Sequence, residues 1–270
     1  MKNLTLSALL LGALAFPAFA SGEAWESVKE QLYGERILLN GQNFIAIDAP
    51  YRTYDDARTK LAAQIVAPDN TSVTRVILVL DENPMPVSAV FALDEPLPGF
   101  YFDVTMRVNG PTPMHVIAET TDGRVFVTEQ FVKTSGQGAC AAPPGTDPEL
   151  ALATLGEMDI QITEELPGIG DGKLQSLASR LNRMDLDISH PSHSGMQMDQ
   201  ISLLFIPMRY VENVDVTLDG AGFVELTGSI SLSENPRVGL AVPSQTRSVD
   251  VTMTDTNGTT TSTHKKLAGF

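Results

Sequence analysis

Short apolar runs alternate with turn-forming residues along most of the chain, and this pattern predicts strands rather than helices. The densest run is residues 74–80 (TRVILVL), and Thr121-Asp122-Gly123 separates two further alternating runs as a hairpin turn does. Residues 23–33 are the exception, because their apolar side chains recur at helical spacing and Gly34 follows as a C-cap. We therefore expect a short helix and then about seven strands before residue 135.

The periodicity stops at residues 135–146 (SGQGACAAPPGT), which are all small or turn-forming, and then resumes. In the second half, strands are predicted at several places, including residues 202–206 and 229–232. The pattern predicts an all-β chain of two immunoglobulin-like antiparallel β-sandwiches with separate cores, joined by a Gly/Ala/Pro-rich arm. The predicted divisions are a signal peptide, a first sandwich with the short helix, the arm with its linker, and a second sandwich, at residues 1–20, 21–134, 135–158 and 159–270.

The N-terminus has the features of a secretory signal peptide. Lys2 supplies a positive charge, residues 4–16 are almost wholly apolar, and Ala18-Phe19-Ala20 places small residues where a signal peptidase cleaves. The apolar segment is shorter than the roughly 20 residues that a spanning helix needs. We therefore expect cleavage after Ala20 and a periplasmic mature protein.

The composition narrows the classes of partner and activity. A formal net charge of −15 argues against nucleic acid or an anionic membrane surface, since both attract basic proteins. The sequence contains none of the motifs for a nucleophile elbow, a zinc protease, a P-loop or a dinucleotide site. We therefore expect a protein that is not an enzyme and has no cofactor.

Cys140 is the only cysteine of a chain that is expected in an oxidising compartment. It lies in the small-residue arm, which includes Gly136, Gly138, Ala139, Ala141 and Ala142. An extended chain from Thr134 to Cys140 would span about 20 Å. A thiol with the ordinary pKa of about 8.5 is only a few per cent thiolate at neutral pH. Lys133 is the nearest cation in the sequence, so no residue beside Cys140 in the chain would activate the thiol as a catalytic nucleophile. We therefore expect Cys140 to be a group on which other proteins act.

A second cluster has donors for a soft metal ion such as Cu(I). It comprises two imidazoles and two thioethers within nine residues, at His190, His193, Met196 and Met198. The alternative is a polar turn whose methionines pack on the core. His115 and His264 are expected to be structural or surface residues.

Two stretches of the chain resemble known families. Residues 43–140 resemble SoxY, the sulfur-carrying subunit of the periplasmic thiosulfate-oxidising system, in 74–93 (TRVILVLDENPMPVSAVFAL), 115–127 (HVIAETTDGRVFV) and 128–140 (TEQFVKTSGQGAC). Residues 188–265 resemble its partner SoxZ, in 188–196 (ISHPSHSGM) and 206–220 (IPMRYVENVDVTLDG). The fused order and the segment HPSHSGMQMDQ are similar to the quinoprotein dehydrogenase-associated SoxYZ-like carriers.

The resemblance implies a carrier protein. In SoxY, a cysteine in a glycine-rich terminal arm holds sulfur intermediates covalently and presents them to successive enzymes, and Cys140 is the position here that matches it. The family arm reads Gly-Gly-Cys-Gly-Gly at a free C-terminus, whereas Cys140 is internal and is followed by Ala-Ala-Pro-Pro, which is stiffer. The implied partners are periplasmic sulfur-oxidation enzymes or cytochromes, and the SoxY-like and SoxZ-like halves are expected to be docked in one chain. The alternative is a docking or accessory protein for a periplasmic quinoprotein dehydrogenase, without sulfur carriage.

The signal sequence gives the first testable prediction. Protein purified from the periplasmic fraction of its native host should begin at Ser21 when its N-terminus is sequenced, because Ala18-Phe19-Ala20 directs cleavage there. Replacing Ala20 by a bulky residue should leave the uncleaved precursor in the membrane fraction. A full-length chain starting at Met1 in the cytoplasm would contradict the prediction.

Overall fold

The computed structural model describes residues 21–139, 148–163, 181–198 and 202–267. The predicted signal peptide therefore lies outside the described residues. Two helices are described, α1 (Ser21–Tyr33) and α2 (Pro148–Ala153). The strands of the first half are β1 (Leu38–Asn40), β2 (Ile45–Asp48), β3 (Thr59–Val66), β4 (Val73–Leu80), β5 (Val87–Leu97), β6 (Gly99–Met106), β7 (Thr112–Thr120) and β8 (Val125–Val132). Those of the second half are β9 (Met158–Thr163), β10 (Leu181–Ile188), β11 (Val211–Leu218), β12 (Ala221–Gly228), β13 (Arg237–Pro243), β14 (Ser248–Asp255) and β15 (Thr260–Lys266).

The strands form two sheets, and the prediction of an all-β fold is confirmed. One sheet has nine strands in the order β1-β8-β7-β4-β5-β12-β11-β14-β15, and the other has six in the order β2-β3-β6-β13-β10-β9. Neighbouring strands are antiparallel except β1 and β8, which pair in parallel. A buried face on each sheet explains the alternating pattern, as in β14, where every second side chain is buried.

Both sheets run without interruption from the first half of the chain into the second. In the larger sheet β5 pairs with β12, with Leu226 opposite Phe91. In the smaller sheet β13 pairs with β6, with Gly239 opposite Asp103. A Cβ atom at Gly239 would lie 2.3 Å from a carboxylate oxygen of Asp103, so only glycine fits this junction. The two halves are thus joined through backbone hydrogen bonds in both layers.

A single hydrophobic cluster fills the space between the sheets and includes buried residues of both halves. Phe91 and Phe102 stack in it with ring centroids 4.5 Å apart, and Leu226 and Leu240 belong to the same cluster. The prediction of two separately defined cores is therefore wrong. The reason is physical: each half alone would expose the edges of β5 and β6, and pairing with the other half satisfies their backbone groups. The predicted divisions at residues 134 and 158 stay a prediction.

Polar groups also bind the halves together at one end of the sheets. Arg107 is 2% exposed, and its guanidinium donates to the carbonyl oxygens of Ile230, 3.2 Å away, and of Leu232. The Asn83 amide donates to the carbonyl of Arg107 and to the hydroxyl of Ser231, each at 2.8 Å. The segment 229–232 is therefore a turn around a buried arginine, and the predicted strand there is wrong.

The other local predictions have mixed outcomes. The helix predicted at residues 23–33 is confirmed as α1, and Gly34 ends it with a φ of 57°. The strand predicted at 202–206 is wrong, because Phe205 forms only an isolated bridge with Met198. None of the helices in the described ranges has the length and apolarity needed to cross a bilayer.

The shared core predicts one cooperative unfolding transition. Trp25 is the single tryptophan and lies in the first half, so its fluorescence reports that half, whereas far-UV circular dichroism reports all strands. Leu232→Ala creates a cavity at a fully buried site of the second half and should lower the free energy of unfolding by about 2–5 kcal/mol. The urea midpoints of both signals should fall equally. Lys265→Ala on an exposed edge serves as the control and should change the stability by less than about 0.5 kcal/mol. Separate midpoints for the two signals would contradict the single core.

Candidate functional site

The chain that leaves β8 toward the cysteine stays paired with the body of the protein. The amide of Lys133 donates to the carbonyl of Tyr51, and the amide of Thr53 donates to the carbonyl of Lys133, both at 2.8 Å. The guanidinium of Arg52 donates to the carbonyl of Thr134 at 3.2 Å. The first residues after the strand are therefore fixed by the segment that follows β2.

Beyond Thr134, one carboxylate collects the next backbone amides. Asp56 accepts the N–H of Ser135 on Oδ1 at 2.7 Å, and the N–H groups of Gly136 and Gly138 on Oδ2, both at 3.1 Å. The hydroxyl of Thr53 donates to the same carboxylate. Gly136 and Gly138 have φ values of 94° and 86°, in the left-handed region that turns successive amides toward one anion. We call residues 133–139 together with Thr53 and Asp56 the arm base.

The electrostatics of Asp56 suit this role. Asp56 is buried and only 1% exposed. Burial alone would raise the pKa of the carboxyl, but the hydrogen bonds from Thr53, Ser135 and Gly138 outweigh it and hold the pKa below its ordinary value. The group is therefore ionised at neutral pH, and the charge strengthens every hydrogen bond that it accepts.

The arm base changes the expected geometry of the arm. Ala139 is 1% exposed, so the segment up to this residue is packed as well as hydrogen bonded. The predicted extended reach from Thr134 is wrong for residues 135–139, because the amides of Ser135, Gly136 and Gly138 are held by Asp56. Cys140, Ala141 and Ala142 lie outside the described residues. Sequence reasoning missed Asp56, since its partners lie 79 to 82 residues away in the chain.

His115 is a buried structural residue, which agrees with the first of the two alternatives expected from the sequence. Its ring stacks on Trp25 of α1 with centroids 3.8 Å apart, and its Nε2 lies 3.2 Å from Oδ2 of Asp81. This contact fastens α1 to β7. His264 is on the surface, where its Nδ1 lies 2.7 Å from a carboxylate oxygen of Asp250.

The proposed metal cluster is divided by its hydrogen bonds. His190 is fully buried, its Nδ1 accepts the N–H of Ser192 at 2.9 Å, and its Nε2 lies 3.4 Å from Oδ2 of Asp255. Burial is the main cause that lowers the pKa of His190 to about 4, although Asp255 raises it. The imidazole is therefore neutral near pH 7, with both ring nitrogens engaged.

The other three members of that cluster have different contacts and exposure. Nδ1 of His193 lies 2.9 Å from Oε1 of Gln197. Met196 and Met198 are 39% and 51% exposed. The alternative expectation, that these methionines pack on the core, is therefore wrong. No group of three or more His, Cys, Asp or Glu side chains within the described ranges is arranged to hold a metal ion. Coordination by His190 would require one ring nitrogen to give up its contact with Asp255 or with Ser192.

Comparisons with known proteins identify both halves. Residues 29–140 match the family model "Sulfur oxidation protein SoxY", and residues 175–266 match "Sulphur oxidation protein SoxZ". Among solved structures, the sulfur carrier protein SoxY from Chlorobium limicola f thiosulfatophilum is 17% identical, with a TM-score of 0.35, over 43% of this chain and 99% of that one. None of the curated proteins matches the chain.

The arm base gives a prediction for Asp56→Asn. The neutral amide accepts these hydrogen bonds less strongly and offers one oxygen instead of two. The free energy needed to open the arm base should therefore fall by about 1–3 kcal/mol. In hydrogen exchange, the amides of Ser135, Gly136 and Gly138 should lose roughly tenfold or more of their protection. Asp55→Asn is the matched control, because Asp55 accepts the amide of Ala57 and none of these three. Equal protection in Asp56→Asn and the parent would show that the carboxylate does not hold the arm.

The lowered pKa of Asp56 also gives the pH dependence. A carboxyl whose pKa is depressed by folding contributes stability that is present above the unfolded value of about 3.9 and is lost as the pH falls through the folded value. The protection factors of Ser135 and Gly138 should therefore be constant from neutral pH down to about pH 4 and fall only below it. Loss of protection at a higher pH would contradict the assignment.

Proposed function

Because the chain joins a SoxY family domain to a SoxZ family domain, we propose that it is a periplasmic carrier that holds a sulfur-containing group covalently on Cys140. The observation that carries the proposal is that the SoxY match extends from residue 29 to residue 140, so the only cysteine of the chain is its last matched residue. The protein is acted on by partner enzymes and performs no catalysis itself.

The arm base supports this role because it anchors the residues that directly precede the proposed attachment point. Gly138 is held by Asp56, and Cys140 follows two residues later. Gly136, Gly138 and Ala139 of the predicted arm thus belong to the anchored arm base, and Cys140 follows it directly. Partner enzymes would therefore approach the surface around the arm base.

Loading and unloading follow from sulfur chemistry. Joining the thiol to a thiosulfate-type anion forms an S–S bond, releases one proton and transfers two electrons to an acceptor. Oxidised cytochromes of the periplasm are the acceptors that we assign to this step. Since an ordinary thiol is only a few per cent thiolate at neutral pH, the step is slow without a partner enzyme.

A docking or accessory role for a quinoprotein dehydrogenase is the second candidate. It is favoured by a cluster of exposed apolar side chains near the bridge between Met198 and Phe205. Leu203, Leu204 and Phe205 are 69%, 68% and 66% exposed, which is unusual for large apolar residues next to one another. Such a role would use this loop and not the thiol.

Cys140→Ser separates the two candidates. The variant should keep the urea midpoint of the parent to within about 0.5 kcal/mol, because only one atom changes in the arm. It should abolish thiosulfate-dependent oxygen uptake when it replaces the parent in the native host. Ala141→Ser, which adds a hydroxyl beside an intact thiol, is the matched control and should support uptake. Normal uptake by Cys140→Ser would exclude carriage and leave the docking role.

A further inference from the structure

A cleft opens beside the arm base, between the end of β2 and the start of β3. Its volume is about 390 Å³, within the range of small-molecule sites. Two arginines and a lysine line it, together with two carboxylates, at Arg52, Arg58, Lys60, Asp48 and Asp55. Cations are therefore concentrated here on a chain whose net charge is −15.

The two arginines of the cleft are held through backbone carbonyls and not through ion pairs among the described residues. Arg52 donates to the carbonyl of Thr134, and Arg58 to that of Asn235 in the second half, each at 3.2 Å. Neither guanidinium forms an ion pair with another described residue. Since a guanidinium has five N–H donors, each of these arginines retains several for a ligand.

The remaining charged groups of the cleft are partly engaged elsewhere. Nζ of Lys60 lies 3.8 Å from Oδ2 of Asp103, which is buried. Asp55 accepts the amide of Ala57 on Oδ1 at 2.9 Å, which ties its carboxylate into the local turn. The cleft therefore presents two forked cations to solvent, whereas Lys60 and Asp55 have contacts of their own.

The cleft and the arm base are in contact through Arg52. Arg52 holds the carbonyl of Thr134, and Asp56, which holds Gly138, precedes Arg58 by two positions. Two peptide units separate Gly138 from Cys140, which limits their Cα atoms to about 7 Å. A group on the thiol is therefore attached two residues after a glycine that Asp56 holds.

We infer that Arg52 and Arg58 bind a sulfur oxyanion through its SO₃ group. The planar guanidinium forms two parallel N–H···O bonds to an oxyanion, a geometry that lysine does not offer. The anion is either free in solution or the outer end of a group on Cys140, and the chemistry of recognition is the same for both. Only the second source rests on the proposed carrier function.

The test uses mature Cys140→Ser protein, so that no covalent reaction interferes. Thiosulfate is titrated by calorimetry at constant ionic strength, with chloride as the reference anion. Saturable binding of thiosulfate is expected, and Arg52→Gln or Arg58→Gln should each weaken it roughly tenfold. Arg247→Gln removes an equal charge from an exposed residue outside the cleft and is the matched control.

Three results would overturn the inference: no thiosulfate binding beyond that of chloride, unchanged affinity in both cleft variants, or an equal loss in Arg247→Gln. Arg52→Gln also removes a contact of the arm base, so Arg58→Gln repeats the test at a position whose contact is Asn235. The Trp25 urea midpoint checks that each variant is folded. Because Cys140→Ser cannot carry sulfur, failure here is independent of failure of the carrier function.

The source of the anion is tested with loaded protein. The Cys140 thiolate attacks tetrathionate, forms an S–S bond, keeps an S–SO₃⁻ group and releases thiosulfate. If the cleft takes the end of this adduct, the loaded protein should bind added thiosulfate roughly tenfold more weakly than unloaded protein, because the site is occupied. Equal affinity, with the arginine dependence intact, assigns the cleft to the free anion.

Discussion

The pairing of β5 with β12 and of β6 with β13 is the constraint on which the rest of the structure depends. It converts two SoxY-like and SoxZ-like halves into one two-layered body with a common core. The ion pair between Arg183 and Asp103, at 2.7 Å, and the close approach of Asp103 to Gly239 lie on this junction. With the halves joined in both sheets, the guanidinium of Arg58 in the first half donates to the carbonyl of Asn235 in the second, and this contact holds Arg58 in the cleft.

On this rigid body, the arm is fixed at its start. Asp56 holds the amides of Ser135, Gly136 and Gly138, and its charge is retained at neutral pH because these donors lower its pKa against the effect of burial. Residues 135–139 are therefore anchored to the body of the protein, which differs from the long extended tether that the composition alone suggests.

The sequence predicts features that are decided locally and fails where distant segments meet. The C-cap at Gly34 and the hairpin turn at Gly123 are correct, since their positive φ values depend on a few neighbouring residues. The joined sheets could not be predicted, because the pattern of β5 does not indicate which edge it pairs with. The same holds for Asp56, whose function depends on amides about 80 residues away. His190 gave a misleading signal, since its neighbours suggest a metal ligand whereas its burial and Asp255 make it structural.

The mass of the native protein is the decisive measurement for covalent carriage. Protein purified from the periplasm of its host during growth on reduced sulfur compounds should be digested with and without reductant, and the mass of the peptide that contains Cys140 should be measured. We expect added mass on this peptide that reductant removes, as sulfane, thiosulfonate or another thiol-linked group. A peptide found solely as the free thiol or as irreversibly oxidised cysteine would contradict covalent carriage at Cys140.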